Sequence, residues 1–520
     1  MSVTTRIAIF SLTLLIHIHA SAAESTSPST YKLKALYNSL DPTSISQHLA
    51  FYELYKDRTE GQQALHDVYR LLSGDNVSTN TSINLPKALS TSIQAIVGLV
   101  NKHPSDSSVE LAEYELTTID KWAQHLPNRR LSGSRATSED DVLKIPAVQI
   151  DLARGLLLSQ LGHTPEALRK IRSYEAMIDL MALQILTRIS FNDSPTVKIR
   201  AINHYIFEEM GFRFPPHSVY AKDIDLYTFL PSVLDSHRGV CLGVSILYLC
   251  LAQRLNLDLE IVIPPGHIFV RWRKGDQIIN IETTARGINL PSEEYLGVDL
   301  RSLPECDIKE TIGMAHLNQA SVYWETEQYD KAMTSYEKAL LYMPQSKHLT
   351  ALMGLTAILQ GDADKGKLLL QQVENYLPEH AVSKDTTAED YLKGAVGKEG
   401  IKAVFMHVDK TRDSLMQKRQ ALETALKSFP HYREGLFSLA GTWLQLHRTD
   451  EALKALQRYH AIDPSNASVE YYLAALYAER LDYNLAWQHL RTAERLVKLR
   501  QHDPEALTTL RQELAKLCPE

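Results

Sequence analysis

The chain is 520 residues long, 44% apolar and 22% charged, which suits roughly two to four globular domains with ordinary cores. A formal net charge of −7 supplies no basic field and argues against nucleic acid or an anionic membrane surface as partner. Four cysteines are too few for a disulfide framework, and no His/Cys spacing has the form of a zinc site, so neither a metal nor another cofactor is expected.

In chain order, residues 1–23 combine Arg6, an apolar run over 7–18 and the small residues Ala20, Ser21, Ala22 and Ala23. That is the pattern of a secretory signal peptide cleaved after Ala22 or Ala23. The competing reading is an uncleaved membrane anchor. Against it stand His17 and His19 and a run shorter than the roughly 20 apolar residues a spanning helix needs. The expectation is therefore an exported protein, periplasmic in a Gram-negative source, with membrane association only if the segment is retained. Residues 24–140 read as a helical N-terminal region: a Ser/Thr/Pro linker, then helical patterning at Leu49, Tyr52, Leu54 and Tyr55 and again at Ile93, Ile96 and Val97. Polar stretches at 73–84 and 128–141 interrupt it.

Residues 141–308 read as the chemical domain, centred on 238–284. Leu242, Ser245, Ile246, Leu249 and Ala252 follow helical spacing, and Asn256 suits the left-handed position after a helix end. Cys241 then falls in the first helical turn, where unpaired amides and the positive end of the dipole favour a thiolate. Residues 259–263 form a short β-rich run stopped by Pro264, Pro265 and Gly266, followed by two further runs at 267–272 and 277–283. A two-residue loop at Lys274-Gly275 would set Arg273 opposite Asp276 and, by extension, His267 opposite Glu282 on one face. A loop one residue longer would turn Glu282 to the other face. Thiol, imidazole and carboxylate in this order have the nucleophile, base and orienter logic of a catalytic triad.

The stretch resembles the transglutaminase-like superfamily, whose members place a cysteine at a helix start and His and Asp on adjacent strands, and within it the SirB-type branch. The matching residues are Arg238-Gly239, Leu247-Tyr248-Leu249, Ala252, Arg254-Leu255, Pro265-Gly266-His267 and Val270-Arg271, with a lead-in at 207–212. The resemblance implies an α+β, papain-like cysteine hydrolase core with Cys241, His267 and Glu282 as its catalytic groups. Two positions depart from the branch: many members carry proline where Cys241 stands, and the usual aspartate is Glu282 here.

Residues 309–520 are repetitive. Ala315, Tyr323, Tyr329, Ala332, Tyr336, Ala339 and Pro344 have the spacing of a tetratricopeptide repeat, and Pro344 to Pro378 and Pro430 to Pro464 each span 34 residues. An insertion is expected around 383–400, with four or five repeats in all and a polar capping helix from Pro504. Such arrays bury one face against the next repeat and offer a concave surface to peptides or proteins. Two functions follow. The first is an exported cysteine-dependent acyl-transfer enzyme, hydrolysing an amide or peptide, with a protein partner on its repeats. The second is a catalytically inactive scaffold of the same architecture.

Overall fold

The structure is a computed structural model that describes residues 29–73, 111–215, 228–409 and 411–519. The expected signal segment and the patterning at Ile93, Ile96 and Val97 lie outside the described residues. The chain divides into two compact units, 1–97 and 98–520.

In the first unit, helices Thr30–Asn38, Ile45–Tyr55 and Thr59–Ser73 close a small core on Leu33, Phe51 and Ala64. Ser29 and Ser44 accept from the amides of Lys32 and Gln47, satisfying first-turn donors that would otherwise lack partners. Leu49 and Tyr52 are buried as the pattern requires, whereas Leu54 faces solvent.

The second unit is built around the helix Cys241–Arg254. Helices α1 (Leu152–Leu161) and α2 (Pro165–Leu186) pack against α3 (Cys241–Arg254), as does the sheet strand that carries Phe269 to Lys274. Every residue of α3 from Leu242 to Ala252 is buried, as expected of a helix apolar on all sides. It stops as predicted, with Asn256 in the left-handed region at φ 52°. At its C-terminal end Arg254 is fully buried and its Nε donates to Asp179 Oδ1 on α2 at 2.6 Å. Gln253 locks the same end to α1 by accepting from the amide of Leu152 and donating to the carbonyl of Ile150. These polar ties fix the axial position of a helix whose apolar surface alone would let it slide.

The sheet holds β1 (Glu260–Val262), β2 (Phe269–Lys274), β3 (Gln277–Ile281) and β4 (Glu305–Cys306), antiparallel in the order β3-β2-β1-β4. The β2–β3 loop is Gly275-Asp276, with Lys274 opposite Gln277, not Lys274-Gly275. Gly275 has φ +58°, so glycine takes the first central position, as a primed hairpin turn demands. Continuing this register would set Glu282 opposite Phe269, two residues beyond the expected partner His267. A slip of two leaves every side chain on its original face.

After β4 comes a series of helical hairpins: Ile308–Glu325 with Tyr329–Tyr342, Lys347–Gln360 with Ala363–Gln371, Arg433–Gln445 with Thr449–Ile462, and Ala467–Glu479 with Tyr483–Leu499. Between the second and third, over and after the stretch where an insertion is expected, lie two short helices, Thr387–Leu392 and Lys398–Phe405, and then Arg412–Ser428. One hydrophobic cluster runs through the whole series to Leu514 of the last helix, Glu505–Leu517. The array also folds back on the chemical domain. Val382 donates to Asp299 O, Arg301 donates to His380 O, and the Arg500 guanidinium reaches the carbonyls of Pro378, Glu379 and Ala381.

Candidate active site

Cys241 is the first residue of α3 and is half-buried. Val240 precedes it in extended conformation and offers no side-chain cap, so the first-turn amides keep their donors free of intrahelical partners. The chain enters this turn past Gly239, where a Cβ would stand 2.6 Å from Val244 Cγ2. Glycine is required there for the backbone to come close enough to start the helix.

His267 is placed by a type II turn. Its amide donates to Pro264 O at 3.0 Å, and Gly266 has φ +73°. Proline and then a positive-φ glycine at the two central positions give the Pro-Pro-Gly-His run a purely geometric reason. Glu282 follows β3 and begins a short helical turn, Thr283–Ala285. Its amide donates to Ile288 O, and its own carbonyl accepts from Gly287 at 2.8 Å. Gly287 sits at φ +75° with Asn203 2.3 Å from where a Cβ would stand. Asn203 in turn donates to Gly287 O and accepts from Tyr248 of α3.

The His267 and Glu282 side chains meet at 2.5 Å, Nε2 to Oε2. The carboxylate is fully engaged: Oε2 also accepts from Tyr295 OH at 2.8 Å, and Oε1 accepts from the amide and hydroxyl of Thr284 at 3.1 and 2.6 Å. With Nε2 committed to Glu282, Nδ1 is the ring nitrogen left for the thiol. The hydrogen bond with Cys241, then that with Glu282, raises His267 from its ordinary 6.5 to about 9. Burial works against the charge of Glu282, but the donors around it, His267 first, hold the carboxyl below its usual range. Together these favour imidazolium and carboxylate beside the sulfur.

Tyr295 was not legible as a site residue. It closes a short turn, Ser292–Tyr295, and lies flat on Phe269 with ring centroids 4.6 Å apart, and nearly parallel to His267 at 6.0 Å. Its loop is held by Asn280, which donates to Leu290 O and Ser292 Oγ and accepts from Arg271. Arg271 of β2 therefore supports Tyr295 indirectly, through Asn280. All four cysteines are free, burial pushes Cys250 well up, and it raises Cys306 to about 12. A cleft of about 770 Å³ lies at the opposite end of α3, bordered by Gln253, Asn256, Glu260 and Cys306, and none of Cys241, His267 or Glu282 lines it.

Among known proteins, a UPF0162 protein of Xylella fastidiosa strain Temecula1 is 27% identical over 179 residues, 32% of this chain and 63% of that protein. The chain thus spans just under two thirds of that relative's length. A UPF0162 protein of strain 9a5c is 23% identical over 245 residues, 44% of this chain and 83% of that protein. Mouse F-box only protein 21 is 29% identical over 99 residues, 19% of this chain and 14% of its own length. Among solved structures, MamA from Desulfovibrio magneticus RS-1 is 13% identical, covering 36% of this chain and 95% of that one, at a TM-score of 0.19, too low to carry weight. Residues 419–467 match the model of a tetratricopeptide repeat. Residues 172–300, which include all of α3 and the β-hairpin, match the model of the transglutaminase-like superfamily, and the chain carries a transglutaminase-like domain there.

Proposed function

We propose that the chain is an exported cysteine-dependent acyl-transfer enzyme of the SirB-type branch, with a papain-like arrangement of Cys241, His267 and Glu282. The observation that carries the reading is His267, held at 2.5 Å by Glu282 and raised to about 9 with Cys241 as the first cause. The Cys241 thiolate attacks an amide carbonyl, forming a C–S bond. The Cys241 amide at the helix start faces the developing oxyanion. His267 passes its proton to the leaving nitrogen as the C–N bond breaks, giving a thioester. His267 then takes a proton from water, whose oxygen displaces the sulfur and releases the acid. Glu282 steadies the imidazolium throughout. The acceptor is water in preference to an amine, and the acyl group belongs to a protein or peptide. The repeats recruit a protein partner. Export to a periplasm rests on residues 1–23.

The test is turnover of an amide-substrate library followed by intact-mass detection of the thioester. Wild type accumulates an acyl adduct on Cys241, and Cys241→Ala loses both adduct and turnover. Turnover surviving in that variant sinks the reading. The second reading, an inactive binding scaffold, is favoured by the 770 Å³ cleft lying away from Cys241. It predicts peptide binding without any adduct.

A further inference from the structure

The repeat array carries a second cluster of chemistry-bearing side chains. His460 lies near the end of helix Thr449–Ile462, Glu470 in the first turn of Ala467–Glu479, and His489 within Tyr483–Leu499. Three consecutive helices each deliver one group to a common point. His460 Nδ1 is 2.5 Å from Glu470 Oε1, and His489 Nδ1 is 2.8 Å from Glu470 Oε2. The imidazoles are 5.0 Å apart at 80°. The Glu470 side chain is 0% exposed and that of His489 8%, while His460 opens to solvent at 36%.

Packing does not explain a glutamate here, since its helix neighbours Leu473, Ala474 and Tyr477 are apolar core. A carboxylate removed from water needs a counter-charge as well as hydrogen bonds. One imidazole nitrogen on each carboxylate oxygen supplies the bonds. A divalent cation supplies the charge within a single ligand sphere. Two imidazoles and one carboxylate form a donor set typical of zinc, whereas Mg²⁺ and Ca²⁺ prefer all-oxygen surroundings.

We propose that His460, Glu470 and His489 bind one borderline divalent transition-metal ion, of which Zn²⁺ is the type, and that the ion staples the last two repeats. The ligand atoms all lie within 4.8 Å of one another. Tetrahedral zinc, with bonds of roughly 2.0–2.2 Å, wants them about 3.3 Å apart. Reaching that spacing opens the two hydrogen-bonded contacts from 2.5 and 2.8 Å, draws the longest ligand separation in, and leaves each imidazole's proton on Nε2 once Nδ1 takes the metal. The half-exposed His460 gives the ion its route in and leaves the fourth position to water. Sequence spacing hides the site because its members are ten and 19 residues from Glu470 and reach it only through helix packing.

The test uses the full chain, stripped with a chelator and titrated with Zn²⁺ against a chromophoric competitor. One equivalent binds at micromolar or tighter Kd, and Tm rises with Zn²⁺ concentration. His460→Ala, at the half-exposed position, keeps its far-ultraviolet dichroism and loses at least tenfold in affinity. Loading with Co²⁺ instead gives tetrahedral d–d bands without thiolate-to-metal charge transfer, which separates this site from the Cys241 thiol. The proposal is overturned by the absence of stoichiometric Zn²⁺ binding, by His460→Ala binding as tightly as wild type, or by a thiolate–cobalt band that vanishes in Cys241→Ser.

Discussion

The Glu282 carboxylate accepts four hydrogen bonds, from His267, Tyr295 and both donors of Thr284, so it has little freedom to rotate. Under the proposed chemistry that rigidity keeps the imidazole aimed at the sulfur. Tyr295→Phe keeps the ring on Phe269 and removes one charge-assisted bond, a loss of about 1.5–3 kcal/mol locally. The expected result is a fall of tenfold or more in kcat with KM little changed; an unaltered kcat removes Tyr295 from the positioning role. The raised His267 sets a pH limit as well. Its proton is retained at neutral pH and lost as pH climbs through about 9. Turnover should therefore decline across that range, because the imidazolium that protonates the leaving group is disappearing. The same sign applies to folding: the stability this group adds is complete below the ordinary 6.5 and is lost as pH rises through about 9. A pH–rate profile still rising beyond pH 10 would contradict this assignment.

At the scale of elements, two glycine turns and a buried ion pair do most of the positioning. Gly287→Ala forces a side chain into positive φ and onto Asn203, at roughly 1–3 kcal/mol. Denaturant melts should show that loss, together with weaker His267–Glu282 coupling. Asp179→Asn leaves Arg254 buried without its full counter-charge and is expected to cost about 3–5 kcal/mol; a change below 1 kcal/mol would mean that water reaches the guanidinium. Much of this was legible. Helical spacing and Asn256 bounded α3, and proline followed by glycine announced the turn before His267. The hairpin register was not legible, because Lys274-Gly275 and Gly275-Asp276 both put a glycine in the loop and only the backbone twist selects the second. The direct pairing of His267 with Glu282 is lost, but the two stay on one face because the slip was of two residues. Tyr295 had no periodicity to reveal it, since it is held through Asn280 and Arg271 from a separate loop.

At the scale of the whole second unit, the repeats are tied to the transglutaminase-like domain as well as following it. Arg500, from beyond the last repeat hairpin, reaches the 378–383 segment, which itself pairs with residues 299–301. His502 adds a bond to Gly297 O at 2.8 Å. Arg500→Ala should raise amide exchange at Arg301 and Val382 while leaving α3 protected; unchanged exchange would mean that the array is held by its apolar core alone. The repeat period was readable from prolines, but this return contact was not, because it joins residues about 200 positions apart. The central claim, that Cys241 and His267 act as one unit, is tested most directly by the iodoacetamide rate at Cys241, read by peptide mass spectrometry at pH 7 in wild type and His267→Ala. The account predicts at least tenfold slower labelling once the imidazole is gone, and equal rates in the two proteins would contradict it.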